Sequence, residues 1–301
     1  MKFKKVLITG ATGFIGASLV KKLADEGCEV AIIARATSNM GILGGYVERI
    51  QQYDYDGSIG SLNIALKTHM PEVVFHLASL FLASHNQKDI TSLINSNILF
   101  STHLVDAMVN NGCTKLVNTG TSWQHFDNHD YNPVCLYAAT KQAFEMILEY
   151  YVNVCDLQVI TLKLFDTYGE SDPRPKLMAL LKKISLSGEA LDMSPGEQLI
   201  DIVHVDDVLR GFIASADRLL SLQVTGHERF ALSSGTPKKL RDLVSEFSEA
   251  IDKPIHINWG KRPYRLREVM ETWDHGENLP GWQPEIPFSE GVRGFFNAIT
   301  K

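Results

Sequence analysis

The sequence predicts an α/β fold: a doubly wound parallel sheet with a smaller C-terminal substrate-binding lobe. Three observations point there. Short apolar runs alternate with amphipathic helical windows through the first half, the pattern of a parallel sheet covered on both faces. A glycine-rich turn, Gly10-Ala11-Thr12-Gly13-Phe14-Ile15-Gly16, joins the first run to the first helical window. After Phe165 the rhythm breaks, and Pro173, Pro175, Pro195, Pro254, Pro263, Pro280, Pro284 and Pro287 crowd the second half.

Val6 to Thr9 reads as the first strand, and Gly16 to Glu26 as the first helix, with Leu19, Val20, Leu23 and Ala24 on one stripe. Val30 to Ala34 is the second strand, and a helix carrying Leu62 and Leu66 follows Asp56. Val73 to Leu77, Lys115 to Asn118 and Gln158 to Phe165 read as later strands, separated by helices over Leu93 to Asn110 and Leu136 to Tyr151. Strand-helix alternation returns around Ile202 to Leu220. The expected organisation is a nucleotide-binding domain over residues 1–165 plus about 202–232, and a substrate lobe over 166–201 and 233–301.

A chain of 301 residues buries a sizeable core. A net charge of −6 without a basic run argues against a nucleic-acid surface and for a small-molecule partner. Cys28, Cys113, Cys135 and Cys155 show no C-x-x-C spacing and sit in or beside apolar segments, so they read as reduced thiols, with no metal site expected. Met1 to Lys5 leads straight into the first strand, and no run is long enough to span a membrane, so the expected location is the cytoplasm.

The glycine loop permits a tight turn and lets the backbone approach a dinucleotide's pyrophosphate, whose charge meets the N-terminus of the helix. An NAD site commonly places an acid about twenty residues on, to hold the ribose hydroxyls. The second strand ends instead in Ala34-Arg35-Ala36-Thr37-Ser38, with no acid. Arg35 pairs with the extra phosphate of NADP, helped by Thr37 or Ser38, or else stacks on adenine; NADP(H) is the expected cofactor and NAD(H) the alternative. Further along, Tyr137-Ala138-Ala139-Thr140-Lys141 puts a phenol and an ammonium on one helix face, a turn apart. The ammonium lowers the phenol's pKa and steadies a ribose, so the pair supplies a proton beside the cofactor.

In this order and separation, the glycine loop and the Tyr137/Lys141 pair resemble those of the extended short-chain dehydrogenase/reductases, the group containing the nucleotide-sugar epimerases, dehydratases and reductases. The resemblance extends from Leu7 to Gly281-Trp282-Gln283-Pro284 and implies a Rossmann-type sheet. It implies that Gly10, Thr12, Gly13, Phe14, Ile15 and Gly16 hold the pyrophosphate, that Asp56 meets adenine with Asp54 as the alternative register, and that Leu77, Ala78 and Ser79 lie near the nicotinamide ribose. Asn97 matches a helix asparagine of structural role, and His76 reads as a packed core histidine. Thr121, with Ser122 as fallback, falls where relatives place the hydroxyl that binds the reacting oxygen, completing a Thr121/Tyr137/Lys141 triad.

Dehydratases of this family place an Asp-Glu pair immediately after the Thr; here stand Ser122 and Trp123, so dehydration is not expected. Lys163, Asp166 and Glu170 depart from the family's Arg, Asn and Pro around Leu164 to Gly169. Asp201 to Asp207 matches a segment that normally follows a pyrophosphate-binding Arg, and that residue is Ile200. Lys176, Arg262, Arg265 and Arg267 are the candidates to compensate, since a diphosphate needs positive charge. Ser122, Trp123, Gln124 and His125 are candidate contacts to a hexose. The expectation is an NADPH-dependent reductase of a nucleotide-activated 4-keto-6-deoxy sugar, similar to enzymes that complete the dideoxyhexoses of deoxysugar and lipopolysaccharide biosynthesis. An epimerase or 4-dehydrogenase is the alternative, and a non-catalytic dinucleotide sensor the reading from another class. The resemblance also implies a homodimer through a four-helix bundle, built from the helices that carry Leu99, Phe100, Leu104, Phe144, Ile147, Leu148 and Tyr151.

Overall fold

The computed structural model describes residues 1–221 and 224–298, so residues 222–223 of the expected first domain and 299–301 of the expected lobe lie outside the described residues. The chain runs β1 (Lys5–Thr9), α1 (Phe14–Asp25), β2 (Glu29–Ala34), β3 (Gln51–Asp54), α2 (Ile59–His69) and β4 (Val73–His76). It continues through α3 (Ile90–Ile94), α4 (Phe100–Asn110), β5 (Lys115–Thr121), α5 (Leu136–Cys155), β6 (Gln158–Leu164) and β7 (Asp166–Tyr168). The second half holds α6 (Leu177–Ser187), β8 (Leu191–Asp192), β9 (Leu199–Ile200), β10 (Ile202–His204), α7 (Val205–Leu220) and β11 (His227–Leu232). It ends with β12 (Lys238–Lys239), α8 (Leu240–Ile251), β13 (Ile257–Asn258) and α9 (Phe288–Asn297).

Seven parallel strands form the central sheet in the order β11-β6-β5-β4-β1-β2-β3. The chain winds outward from β1 to β3, then returns to start again at β4, so the winding reverses between β1 and β4. Loops leaving the carboxyl ends of those two strands diverge, and the crevice they open is where such sheets bind ligands. One face is covered by Leu19, Val20 and Leu23 of α1 with Val208, Phe212 and Ala216 of α7. The other is covered by Leu62 and Leu66 of α2, Leu104 and Met108 of α4, and Phe144 and Leu148 of α5. A third cluster joins Met178 and Leu181 of α6, Leu243 and Phe247 of α8, and Val292 and Phe295 of α9 into the smaller lobe.

The doubly wound α/β fold is as expected, and several boundaries differ for local reasons. β5 extends to Thr121, because β6 supplies a partner at every position up to Thr121↔Leu164. β3 had no apolar signature; Gln51-Gln52-Tyr53-Asp54 is a sheet-edge strand with three exposed residues. The helix expected from Leu93 begins at Ile90 and is interrupted by a π-helical turn over Asn95–Leu99 before α4. β10 pairs with β7 rather than with the central sheet, and only α7 and β11 return to it.

Of the residues expected to face a partner helix, Phe100, Leu104, Phe144, Leu148 and Tyr151 are buried within this chain against its own sheet. Leu99 is exposed, and the outward apolar stripe of α5 is Met146, Tyr150 and Val154, which are 55%, 60% and 62% exposed.

Candidate active site

The crevice between β1 and β4 is built around two glycines. Gly10 has φ +73°, and a Cβ there would stand 2.5 Å from the backbone nitrogen of Ala78. A Cβ on Gly16 would stand 2.1 Å from the carbonyl oxygen of Gly10. Only glycine lets α1 start this close to both loops. The helix begins at Phe14 with Gly13 as N-cap, no side chain caps it, and its first turn carries no acid. Its first amides, from Phe14, Ile15 and Gly16, therefore suit an anionic group such as a dinucleotide's pyrophosphate, with Thr12 and Gly13 at the mouth of the turn.

At the end of β2, Arg35 is exposed, and its guanidinium makes no hydrogen bond or ion pair among the described residues. Its backbone N–H donates to the Ser38 hydroxyl, which holds Ser38 beside it (3.0 Å). Asp56 accepts from the backbone and hydroxyl of Ser58 at the start of α2, which holds its carboxyl below the usual range; Asp54 accepts from Gln52. After β4, Leu77 donates to the Thr9 carbonyl and Ala78 to the Thr9 hydroxyl, closing the floor of the crevice. Asn97, in the π turn, grips the next residues: its side-chain oxygen accepts from Ser79 and Leu80, and its nitrogen donates to the Leu80 carbonyl and the Thr140 hydroxyl. It thereby ties the loop carrying Ser79 to the helix carrying Tyr137 and Lys141.

Tyr137 and Lys141 are buried on the inner face of α5. Burial raises the phenol well above its ordinary pKa, with the nearby Ser79 hydroxyl opposing, so Tyr137 is held protonated. Burial pulls the Lys141 ammonium down to about 8, with Glu145 opposing and Lys163 reinforcing the shift. The ammonium has no hydrogen-bond partner among the described residues, an arrangement suited to a ribose hydroxyl. His76 is buried between the Thr9 and Ser101 hydroxyls, and desolvation, with Lys141 nearby, keeps it neutral. It packs the core, as its sequence position implied.

Thr121 ends β5 and opens a short 3-10 turn, Ser122–Gln124. Its hydroxyl oxygen accepts from the backbone of Trp123 in a capping box with Gln124. With its lone pairs so engaged, the hydroxyl hydrogen is left to donate, as binding a carbonyl oxygen requires. Gln124 is not a sugar contact. It is fully buried, its oxygen accepts from the Thr121 amide (3.0 Å), and its nitrogen donates to Gln142 (2.6 Å) and Glu145 (2.9 Å).

Beyond Tyr137 a cavity of about 290 Å³ opens against the smaller lobe. Trp123, Lys176 and Arg265 line it, as does Phe81, whose ring meets Tyr137 edge-on at 5.0 Å and Trp123 at 5.5 Å. Arg174 lines it too and lies over the Phe14 ring, 4.7 Å from its centroid. Each cation already has an anion: Lys176 with Asp166, Arg265 with Glu268, Arg174 with Asp172. A smaller chamber of about 50 Å³ shares Trp123, Asp166 and Arg265 and adds Ser122, His125 and Trp273, the last two stacked at 4.0 Å.

Arg262 is exposed and lines neither space, and Arg267 is engaged with Asn132 and the face of Phe126. Phe81 and Arg174 escape sequence reasoning. A lone aromatic in a loop has no periodicity to announce it, and the only hint for Arg174 is its place between two prolines.

The chain matches the NAD dependent epimerase/dehydratase family over residues 6–225. It belongs to that family. The extended short-chain dehydrogenase/reductase resemblance therefore holds, and the protein is an NAD(P)-dependent enzyme. Similar proteins include the CDP-abequose synthase of Salmonella muenchen, 24% identical with 96% of each chain covered. Another is the UDP-glucose 4-epimerase of Mycolicibacterium smegmatis, 25% identical with the same coverage. Among solved structures, the UDP-N-acetylglucosamine 4-epimerase of Methanobrevibacter ruminantium superposes with a TM-score of 0.84 at 22% identity, covering 98% of both chains. The UDP-glucose 4-epimerase of Thermus thermophilus in complex with NAD superposes with a TM-score of 0.81 at 24% identity, also over 98% of both. No helix among the described residues is long and apolar enough to cross a membrane.

Proposed function

We propose that this protein is an NADPH-dependent reductase of a nucleotide-activated 4-keto-6-deoxy sugar. The observation that carries the reading is Arg35: an exposed guanidinium without a partner among the described residues, where an NAD site keeps an acid. Similarity to CDP-abequose synthases along nearly the whole chain supports it, as does the absence of an Asp-Glu pair at Ser122-Trp123.

The bound cofactor supplies a hydride to the carbonyl carbon. Tyr137, held protonated, donates its proton to the carbonyl oxygen, and Thr121 donates a hydrogen bond to that same oxygen. Lys141 binds the nicotinamide ribose, and its charge favours the phenolate left after transfer. Gly10 to Gly16 hold the pyrophosphate, Arg35 and Ser38 the 2′-phosphate, Asp56 the adenine, and Leu77, Ala78 and Ser79 the ribose side of the crevice. In the large cavity Lys176 and Arg265, joined by Arg174, take the substrate's diphosphate, while Trp123, and Ser122 from the smaller chamber, face the sugar.

A second reading is a sugar-nucleotide epimerase with retained NAD, supported by the similarity to UDP-glucose 4-epimerases. A screen of CDP- and UDP-linked 4-keto-6-deoxyhexoses decides, with NADPH consumption as readout. Stoichiometric NADPH oxidation is expected. Tighter NADH than NADPH binding, with interconversion of 4-epimers and no net cofactor use, would replace this reading by the second.

The same reading includes a homodimer through α4 and α5, supported by the outward stripe Met146, Tyr150 and Val154 and by exposed Leu99. Light scattering at micromolar concentration is expected to give twice the chain mass; a monomer would count against it.

A further inference from the structure

One group of buried polar side chains has no part in the mechanism above. Lys163 of β6 and Glu145 of α5 form a bidentate ion pair at 2.7 and 2.9 Å, with side chains only 2% and 1% exposed. Such a pair costs desolvation that an apolar pair would avoid, so its presence calls for a use beyond stability. Glu145 lies one helical turn beyond Lys141 and also accepts from the Gln124 amide nitrogen. The other end of that amide accepts from the backbone N–H of Thr121.

The chemistry of the partners dictates the orientation of the Gln124 amide. A backbone N–H can only donate, so the oxygen faces Thr121; an ionised carboxylate can only accept, so the nitrogen faces Glu145. Burial opposes the charge on Glu145, but Lys163 and the Gln124 hydrogen bond outweigh it and keep the carboxyl below its usual range. Glycine at the strand end makes room for the assembly. A Cβ on Gly120 would stand 2.8 Å from Lys163 Cδ and 3.1 Å from Gln124 Oε1. The outer end is anchored on β11, where Arg229 reaches Glu145 at 3.4 Å and also pairs with Glu149, which His227 contacts at 2.9 Å.

We infer that Gln124, Glu145 and Lys163 form a positioning strut that sets the backbone of Thr121 from beneath and so aims its hydroxyl at the reacting oxygen. The inference rests on the catalytic role proposed for Thr121. The strut itself touches neither substrate nor cofactor; it acts through the strand end. Misplacing a hydrogen-bond donor by about 1 Å costs on the order of a hundredfold in rate, so a device that holds one donor is worth keeping.

The test uses Gln124→Leu, together with Glu145→Leu/Lys163→Met, which removes both buried charges at once and avoids an unpaired one. Amide exchange at Thr121, followed by NMR, is expected to quicken by about tenfold or more in Gln124→Leu. Turnover of a 4-keto-6-deoxy sugar nucleotide is expected to fall by about tenfold to a hundredfold, with KM and NADPH affinity within about threefold of the unmodified protein. The double variant is expected to fold and show the same split. Unchanged Thr121 exchange in folded Gln124→Leu overturns the strut whether or not the substrate reading holds. Faster exchange with undiminished turnover overturns its positioning role. If the unmodified protein reduces no such sugar, the functional reading fails, the aiming of Thr121 at a substrate falls with it, and the exchange result still decides the strut.

Discussion

The crevice for the dinucleotide and the cavity proposed for the substrate differ in what they offer a negatively charged ligand. In the crevice the donors are backbone amides at the start of α1, set by Gly10 and Gly16, and among the described residues no side chain caps them. In the cavity Lys176, Arg265 and Arg174 are each already paired, with Asp166, Glu268 and Asp172. Binding there exchanges one anion for another, so affinity is a difference between two ion pairs rather than a gain from nothing. Backbone recognition is rigid and general, and the side-chain exchange is adjustable.

The largest expected effect lies where the two regions meet. Tyr137→Phe keeps the buried ring and its edge contact with Phe81 but removes the proposed proton donor. Turnover is expected to fall by about a hundredfold to ten-thousandfold, with NADPH binding nearly unchanged by fluorescence titration. Normal carbonyl reduction by this variant would end the mechanism. Within the crevice, Gly16→Ala drives a methyl into the Gly10 carbonyl and is expected to weaken NADPH by roughly tenfold to a hundredfold, through overpacking of about 1–3 kcal/mol. A variant with native affinity would show that the turn is looser than its contacts imply.

Arg35→Asp replaces a phosphate partner with a repelling charge, so NADPH affinity is expected to drop by about tenfold or more while NADH changes little. Equal losses for both cofactors would assign Arg35 to adenine instead. The smallest effect concerns stability. Lys141 has a folded pKa near 8, below the ordinary lysine value, so the unfolded chain binds more protons between about 8 and 10.5. The cost of burying the ammonium is full below about pH 8 and fades as pH rises through that window. Lys141→Met is therefore expected to raise stability at pH 7 by roughly 1–3 kcal/mol, measured by denaturant melts, while turnover and cofactor affinity fall. The same ammonium loses its charge as pH rises through about 8, so NADPH affinity of the unmodified protein is expected to decline above that point.

The crevice was far more legible in the sequence than the cavity, and the reason is physical. Gly10 and Gly16 are demanded by backbone approach, and Tyr137 and Lys141 by helical spacing, both local constraints that leave a fixed pattern. Lys176 and Arg265 were readable only as charges in want of a phosphate, because their neighbours come from distant segments. Gln124 was misread as a sugar contact although its signal was present: Thr121-Ser122-Trp123-Gln124 is the Thr-x-x-Gln of a capping box. β3 stayed hidden because an edge strand needs no apolar alternation, and the Glu145–Lys163 pair because α5 and β6 meet only in the fold.

The π-helical turn at Asn95–Leu99 holds the asparagine that joins two parts of the crevice. A π turn closes its hydrogen bonds over one residue more than an α turn. Before it, the segment from Ile90 to Ile94 follows one helical phase, and after it α4 follows another, offset by about 100°. Asn97 lies three, four and seven positions before Phe100, Ser101 and Leu104, and all of these are buried on the inward side. One buried amide thereby couples the loop after β4 to α5, so a change that loosens Asn97 would release Ser79 and the helix of Tyr137 together.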